Sequence, residues 1–159
     1  CSRTTLEPVL TLVAAGNHST QQELLTVDGH TGGPARRIDR AVSQGFSIEF
    51  AADPVASGPT DYLIFGVIGI PNPSTHTNTA VGQFSFPPRP AAPGLPWLFT
   101  LVDSYGYDPA ALFSAGPAPY RLVAPIGIGF PVEFAIQGVS ISNSASTISI
   151  TNAILIDID

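Results

Sequence analysis

The sequence predicts an all-β protein: a single β-sandwich, Ig-like or jelly-roll-like, of about nine short strands. Apolar residues recur at a period of two, most plainly in GFSIEFA (45–51) and in the closing STISITNAILIDI (146–158). With 16 Pro and 15 Gly, the 159-residue chain is interrupted too often for long helices. No alternation of strand with helix patterns and no short internal repeat is visible, which excludes a βαβ fold. The length suits one domain, with residues 1–7 as an N-terminal tether and 8–159 as the sandwich.

The elements follow in order. PVLTLVA (8–14) reads as a strand, then AGNHST as a polar turn. QELLTVD (22–28) precedes GHTGGPARRIDR, the most polar stretch, read as a loop. In GFSIEFA, Phe46, Ile48 and Phe50 point inward, while Ser47 and Glu49 point outward. DYLIFGVIGI (61–70) and VGQFSF (81–86) follow, separated by the loop PNPSTHTNTA. PPRPAAPGLP (87–96) is no central strand, because proline lacks the ladder donor. WLFTLVD (97–103) leads into the one place for a short helical turn, near 108–113, with Asp108 as cap and Pro109 at the first helical position. YRLVAP (120–125) and VEFAIQGVSI (132–141) precede the last strand. The apolar phase of VEFAIQGVSI changes parity at Gly138, which predicts a β-bulge there.

Two strands are apolar on both faces. Leu63, Phe65 and Val67 oppose Tyr62, Ile64 and Ile68, and Trp97, Phe99 and Leu101 oppose Leu98 and Val102. A two-layer sandwich exposes the outer face of each sheet, so something must cover these. A loop such as 87–96, the helical turn, or a neighbouring subunit would serve. The closing strand poses the same question. It would span roughly 40 Å, and Ile148, Ile150, Ile154, Ile156 and Ile158 share one face. They pack either in their own sandwich or in a neighbour's sheet by strand addition.

Charge narrows the function. Net charge is −6, all six cations are Arg, and charged residues make up 11% of the chain. No basic field exists to hold a phosphate backbone, so nucleic acid is not an expected partner. The absence of Lys removes Schiff-base and Walker-type chemistry. No apolar run reaches the ~20 residues of a membrane span. Sparse charge among many Ser, Thr, Pro and Gly residues suits an exported, extracellular or cell-surface protein. The single cysteine, Cys1, forms no internal disulfide and no cysteine cluster. It reads either as the lipid-modified first residue of a mature bacterial lipoprotein or as the first residue of a processed chain.

Residues 96–158, with VEFAIQGVSI followed by Thr151–Asn152–Ala153 opening the closing strand, resemble a pattern in secreted and cell-surface β-sandwich domains of planctomycetes and some myxobacteria. GFSIEF and YLIFGV resemble the preceding part of such domains. The resemblance implies an extracellular β-sandwich and carries no catalytic residues. Gln137 and Thr151–Asn152 read as structural, their buried polar groups satisfying the backbone.

Catalytic patterns are missing. His18, His30 and His76 lie in predicted loops without HExxH spacing, and no GxSxG elbow occurs. Glu49 and Glu133 point outward, which suits solvation better than paired-carboxylate catalysis. Asp103, Asp108, Asp157 and Asp159 offer oxygen ligands but no DxDxDG calcium loop, and terminal acids solubilise a strand edge. Asn17 in NHS fits an N-glycosylation acceptor. No enzyme activity and no cofactor is expected.

The sequence therefore points to a non-catalytic structural protein, assembling copies of itself into a surface filament or coat by β-strand addition and apolar sheet faces. The donor is either the closing strand 146–158 or the N-terminal segment around Leu10 and Leu12. The runner-up is a glycan-binding or adhesive module, stacking surface polysaccharide on Trp97, Tyr105 and Tyr107.

Overall fold

The computed structural model describes residues 23–33, 36–54, 58–69, 77–79, 82–85, 98–142 and 147–159. It is all-β. A three-stranded antiparallel sheet is formed by β1 (Leu25–Val27), β3 (Phe46–Phe50) and β9 (Tyr120–Ala124), in the order β1-β3-β9. It faces a six-stranded sheet of β2 (Arg37–Arg40), β11 (Thr147–Ile158), β10 (Val132–Ser142), β4 (Thr60–Ile68), β7 (Phe99–Asp103) and β8 (Phe113–Ser114), in that order. A two-stranded hairpin, β5 (Thr77–Thr79) and β6 (Gly82–Phe84), completes the eleven described strands. Among the described residues no helix is long and apolar enough to cross a membrane.

The main core lies between the two large sheets. Leu25, Val27, Ile48 and Phe50 of the small sheet meet Tyr62, Ile64, Ile136, Ile154 and Ile156 of the large one. The rings of Phe50 and Tyr62 stack across the layers at 4.5 Å. As the alternation of GFSIEF requires, Phe46, Ile48 and Phe50 are buried. Ser47 is buried as well, drawn in by a polar cluster described below.

The closing strand sits inside its own sheet. β11 pairs antiparallel with β10 from Val132↔Ile158 to Ser142↔Thr147, and parallel with β2 from Leu155↔Arg37 to Ile158↔Arg40. Its length follows from that of its partner β10. The register shifts between Gln137 and Val139, where Thr151 and Asn152 of β11 both lie opposite Gly138; the bulge predicted within β10 is thus carried by β11, and β10 keeps unbroken register with β4.

The outer face of the large sheet is covered from within the chain. Val67, Ala135 and Leu155 form a second small core with Phe65 and Phe84. Phe84, on β6, meets Phe65 edge to face at 5.7 Å. The sequence reading treats VGQFSF as an ordinary sandwich strand; it is the cover. The other proposed cover, 87–96, lies outside the described residues.

Three strands arise where the sequence predicts none. β2 and β5 fall in predicted loops, and β8 falls in the predicted helical turn. There the chain makes a single turn instead, with Ala111 N–H donating to Asp108 C=O at 3.1 Å. β7 loses simple alternation because its register against β4 shifts between Ile64 and Phe65, leaving both Leu101 and Val102 buried.

Candidate functional site

The small sheet is three strands wide and the large sheet six. β9 packs over β4, where Tyr120 meets Tyr62 at 5.8 Å and Ala118 bridges Thr60. β7 and β8 therefore extend beyond the edge of the small sheet. The result is an open apolar cleft of about 390 Å³, with Phe99, Leu101 and Phe113 as its floor and Leu122 and Ala124 along one wall. Phe130 stands at the rim, 59% exposed, and Phe113 is 44% exposed. Among the described residues β9 is an edge strand, paired only with β3. Its inward residues, Tyr120, Leu122 and Ala124, are half-buried, and its outward Val123 is exposed.

A second surface feature is the 104–111 loop. The buried Asp103 carboxylate organises it by accepting N–H bonds from Tyr105 and Gly106, each at 2.8 Å, and from Asp108 at 2.6 Å. Thr100 donates its hydroxyl to Asp108, whose other oxygen accepts Ala110 N–H at 2.8 Å. The Thr100 hydroxyl, then the Ala110 N–H, hold the Asp108 carboxyl below its ordinary range. On this braced loop Tyr105 is 52% and Tyr107 75% exposed. Asp103 and Asp108, read from sequence as candidate oxygen ligands, are engaged in shaping the loop.

The main charge cluster is structural in character. Val27 and His30 exchange both backbone bonds across Asp28–Gly29, a two-residue turn with positive φ at both positions. Asp28 then accepts Ser47 N–H at 2.7 Å and Ser47 Oγ at 3.0 Å, and Arg40 Nη2 donates to it at 2.7 Å. Burial alone would raise the Asp28 carboxyl, but Arg40 and Ser47 outweigh it and hold the group below its ordinary value. Glu49 pairs with Arg121 on β9 at 3.1 Å. Arg37 bridges Asp39, at 2.8 Å, and Asp157, two acids that face each other across β2 and β11.

The sequence-derived site residues are dispersed. The five isoleucines expected on one face are split by the register shift: Ile154, Ile156 and Ile158 are buried in the main core, while Ile148 and Ile150 turn to the outer face of the large sheet, Ile150 buried and Ile148 51% exposed. Tyr105 and Tyr107 share the braced loop. Cys1, Leu10, Leu12, Asn17, His18, His76 and Trp97 lie outside the described residues. Among the described residues no three His, Cys, Asp or Glu side chains are grouped to hold a metal. The apolar cleft is what sequence reading misses. Its residues come from separate strands and the 126–130 segment, and only the unequal widths of the two sheets bring them together.

These features define an all-β, two-layer protein whose most distinctive surface is an apolar cleft beside an open strand edge. No family model matches the chain, and no curated protein or solved structure is significantly similar to it.

Proposed function

We propose that this chain is a non-catalytic structural protein of the cell exterior, the subunit of a surface filament or coat assembled by strand addition. The observation that carries this reading is the edge of β9, unpaired among the described residues, beside the apolar cleft. An unpaired strand edge presents free N–H and C=O groups, and proteins ordinarily blunt such edges with charge, proline or a covering element. β9 carries one charge, Arg121, paired with Glu49, and the surface beside it is apolar, with Ile68, Leu112, Val123 and Phe130 each more than half exposed. An extended partner segment gains ladder bonds from the edge and apolar burial from the cleft. Sparse charge and the resemblance of 96–158 to secreted sandwich domains support the exported setting. Sedimentation and negative-stain microscopy of the intact chain at neutral pH test the reading. Filaments or sheets are expected; uniform particles of 16.5 kDa overturn it.

A glycan-binding function is the second reading, favoured by Tyr105 and Tyr107 on their braced loop. Exposed aromatics held rigidly offer stacking faces to sugar rings at low entropic cost. A glycan-array screen tests it, with Y105A/Y107A expected to abolish any signal.

A further inference from the structure

We propose that the occupant of the cleft is residues 8–14 of a neighbouring copy, added to the open edge of β9 as a fourth strand of the small sheet. The inference rests on the assembly reading and names its acceptor and its donor.

The geometry restricts what fits. At Tyr120 β9 lies over β4, so among the described residues β7 and β8 extend beyond it, a shelf about two strands or 10 Å wide that opens inward to Phe46 of β3 and Phe134 of β10. A second complete sandwich does not fit on that shelf. Antiparallel pairing of β9 with its own copy requires a twofold axis perpendicular to the small sheet. That axis would drive β7 and β8 of each copy into the large sheet of the other. The occupant must be an isolated extended segment with an apolar face.

The chain supplies one. Twenty-two residues precede Glu23, and PVLTLVA (8–14) among them carries no charge. Leu10, Leu12 and Ala14 alternate with Val9, Thr11 and Val13, so one face is apolar whichever way it turns. Pro8 stands at its start, where a strand tolerates the missing donor. The closing strand, the other candidate donor, is already paired on both sides. Residues 15–22, AGNHSTQQ, form a polar connection that spans up to about 26 Å when extended. They join β1 at Glu23, at the edge of the small sheet away from β9. To reach β9 of its own copy a segment joined there would have to cross β1 and β3, so it is assigned to a neighbour, with each copy both donor and acceptor. A head-to-tail contact of that kind propagates.

Disulfide trapping in the full chain tests this. With Cys1 replaced by Ser, the outward positions Val9, Thr11 and Val13 are each changed to Cys in one protein, and V123C is made in another. Mixing a donor variant with V123C and oxidising is expected to give a covalent dimer for at least one donor position. A chain carrying both cysteines is expected to give a ladder of multimers. Cross-links confined to the monomer, or absent at all three positions, overturn the inference. Polymers that form without these cross-links reject this assignment while leaving the assembly reading standing. Particles that stay at 16.5 kDa reject assembly itself.

Discussion

The side chain of Asn152, in β11, behaves as a piece of backbone for Leu25, in β1. Its Oδ1 accepts Leu25 N–H at 3.1 Å and its Nδ2 donates to Leu25 C=O at 2.8 Å. The two residues belong to opposite sheets, and both are buried. One amide thus replaces a pair of ladder bonds across the sandwich, at the point where, among the described residues, β1 has a strand partner on one side only. N152A leaves a buried donor and a buried acceptor unsatisfied, which is expected to cost about 2–4 kcal/mol by urea denaturation. N152D keeps the acceptor but loses the donor to Leu25 C=O, and is expected to be no better than alanine at neutral pH.

Gly138 at the bulge is held by Thr151, whose Oγ1 accepts its N–H at 3.0 Å and donates to its C=O at 3.1 Å. A Cβ at this position would lie 2.8 Å from Thr151 Oγ1 and overlap the Phe50 ring. Both neighbours are buried, so neither yields easily. G138A is expected to cost about 1–3 kcal/mol. F50L in the same chain should relieve part of the clash, so the double variant should be more stable than the sum of its parts predicts.

How much of this was legible in the sequence depended on whether an element's partner wrote its own pattern. GFSIEF and the closing strand alternate because one face of each meets the opposite sheet, and both were readable. The parity change at Gly138 pointed to the right place on the wrong strand: the extra residue is on β11, where Thr151 and Asn152 lie opposite Gly138, while β10 stays in unbroken register with β4. The segment RIDR offered a single apolar residue, Ile38, and read as loop. It becomes β2 because Arg37 reaches Asp157 on the strand alongside, a pairing set 120 residues away. The end of QELLTVD was readable to within a residue, since β1 stops at Val27 and the chain turns at Asp28–Gly29. The cleft had no local signature at all, since no single strand is unusual.

Asp28 makes stability depend on pH in acid. Its folded pKa lies below the ordinary 3.8. The stabilisation it contributes is therefore fully present above that value and is lost as pH falls through it toward the folded pKa. D28N tolerates the positive φ and keeps one acceptor for Ser47, so it removes mainly the charge. A loss of about 1 kcal/mol is expected at pH 7, solvent screening included. The decline in stability as pH falls below about 4 should be shallower in D28N than in the unaltered chain, measured by denaturation at each pH.

Tyr62 is buried to 0% exposure, and its hydroxyl has no hydrogen-bond partner among the described residues. Burial, then the nearby Tyr120, push its phenol far above the ordinary range, so it stays neutral. Y62F removes an unpaired polar atom and keeps the stack on Phe50. It is expected to leave the melting temperature unchanged or raise it, whereas Y62A should cost about 3–5 kcal/mol. A marked loss in Y62F would show that the hydroxyl has a bonding role.

Val123 separates stability from association. It lies on the outward face of β9, 54% exposed. V123K therefore loses little packing, and its folding free energy should stay within about 0.5 kcal/mol of the unaltered chain. A lysine on an open edge strand opposes the approach of another strand, because its charge must be desolvated as the ladder closes. If β9 is the acceptor edge, sedimentation of V123K should show a monomer at concentrations where the unaltered chain assembles. L122A acts on the other face, where Leu122 packs against the main core, and should lower stability by about 2 kcal/mol or more. Loss of association in V123K without the stability loss of L122A assigns the effect to the edge. Equal association in V123K and the unaltered chain moves the interface away from β9.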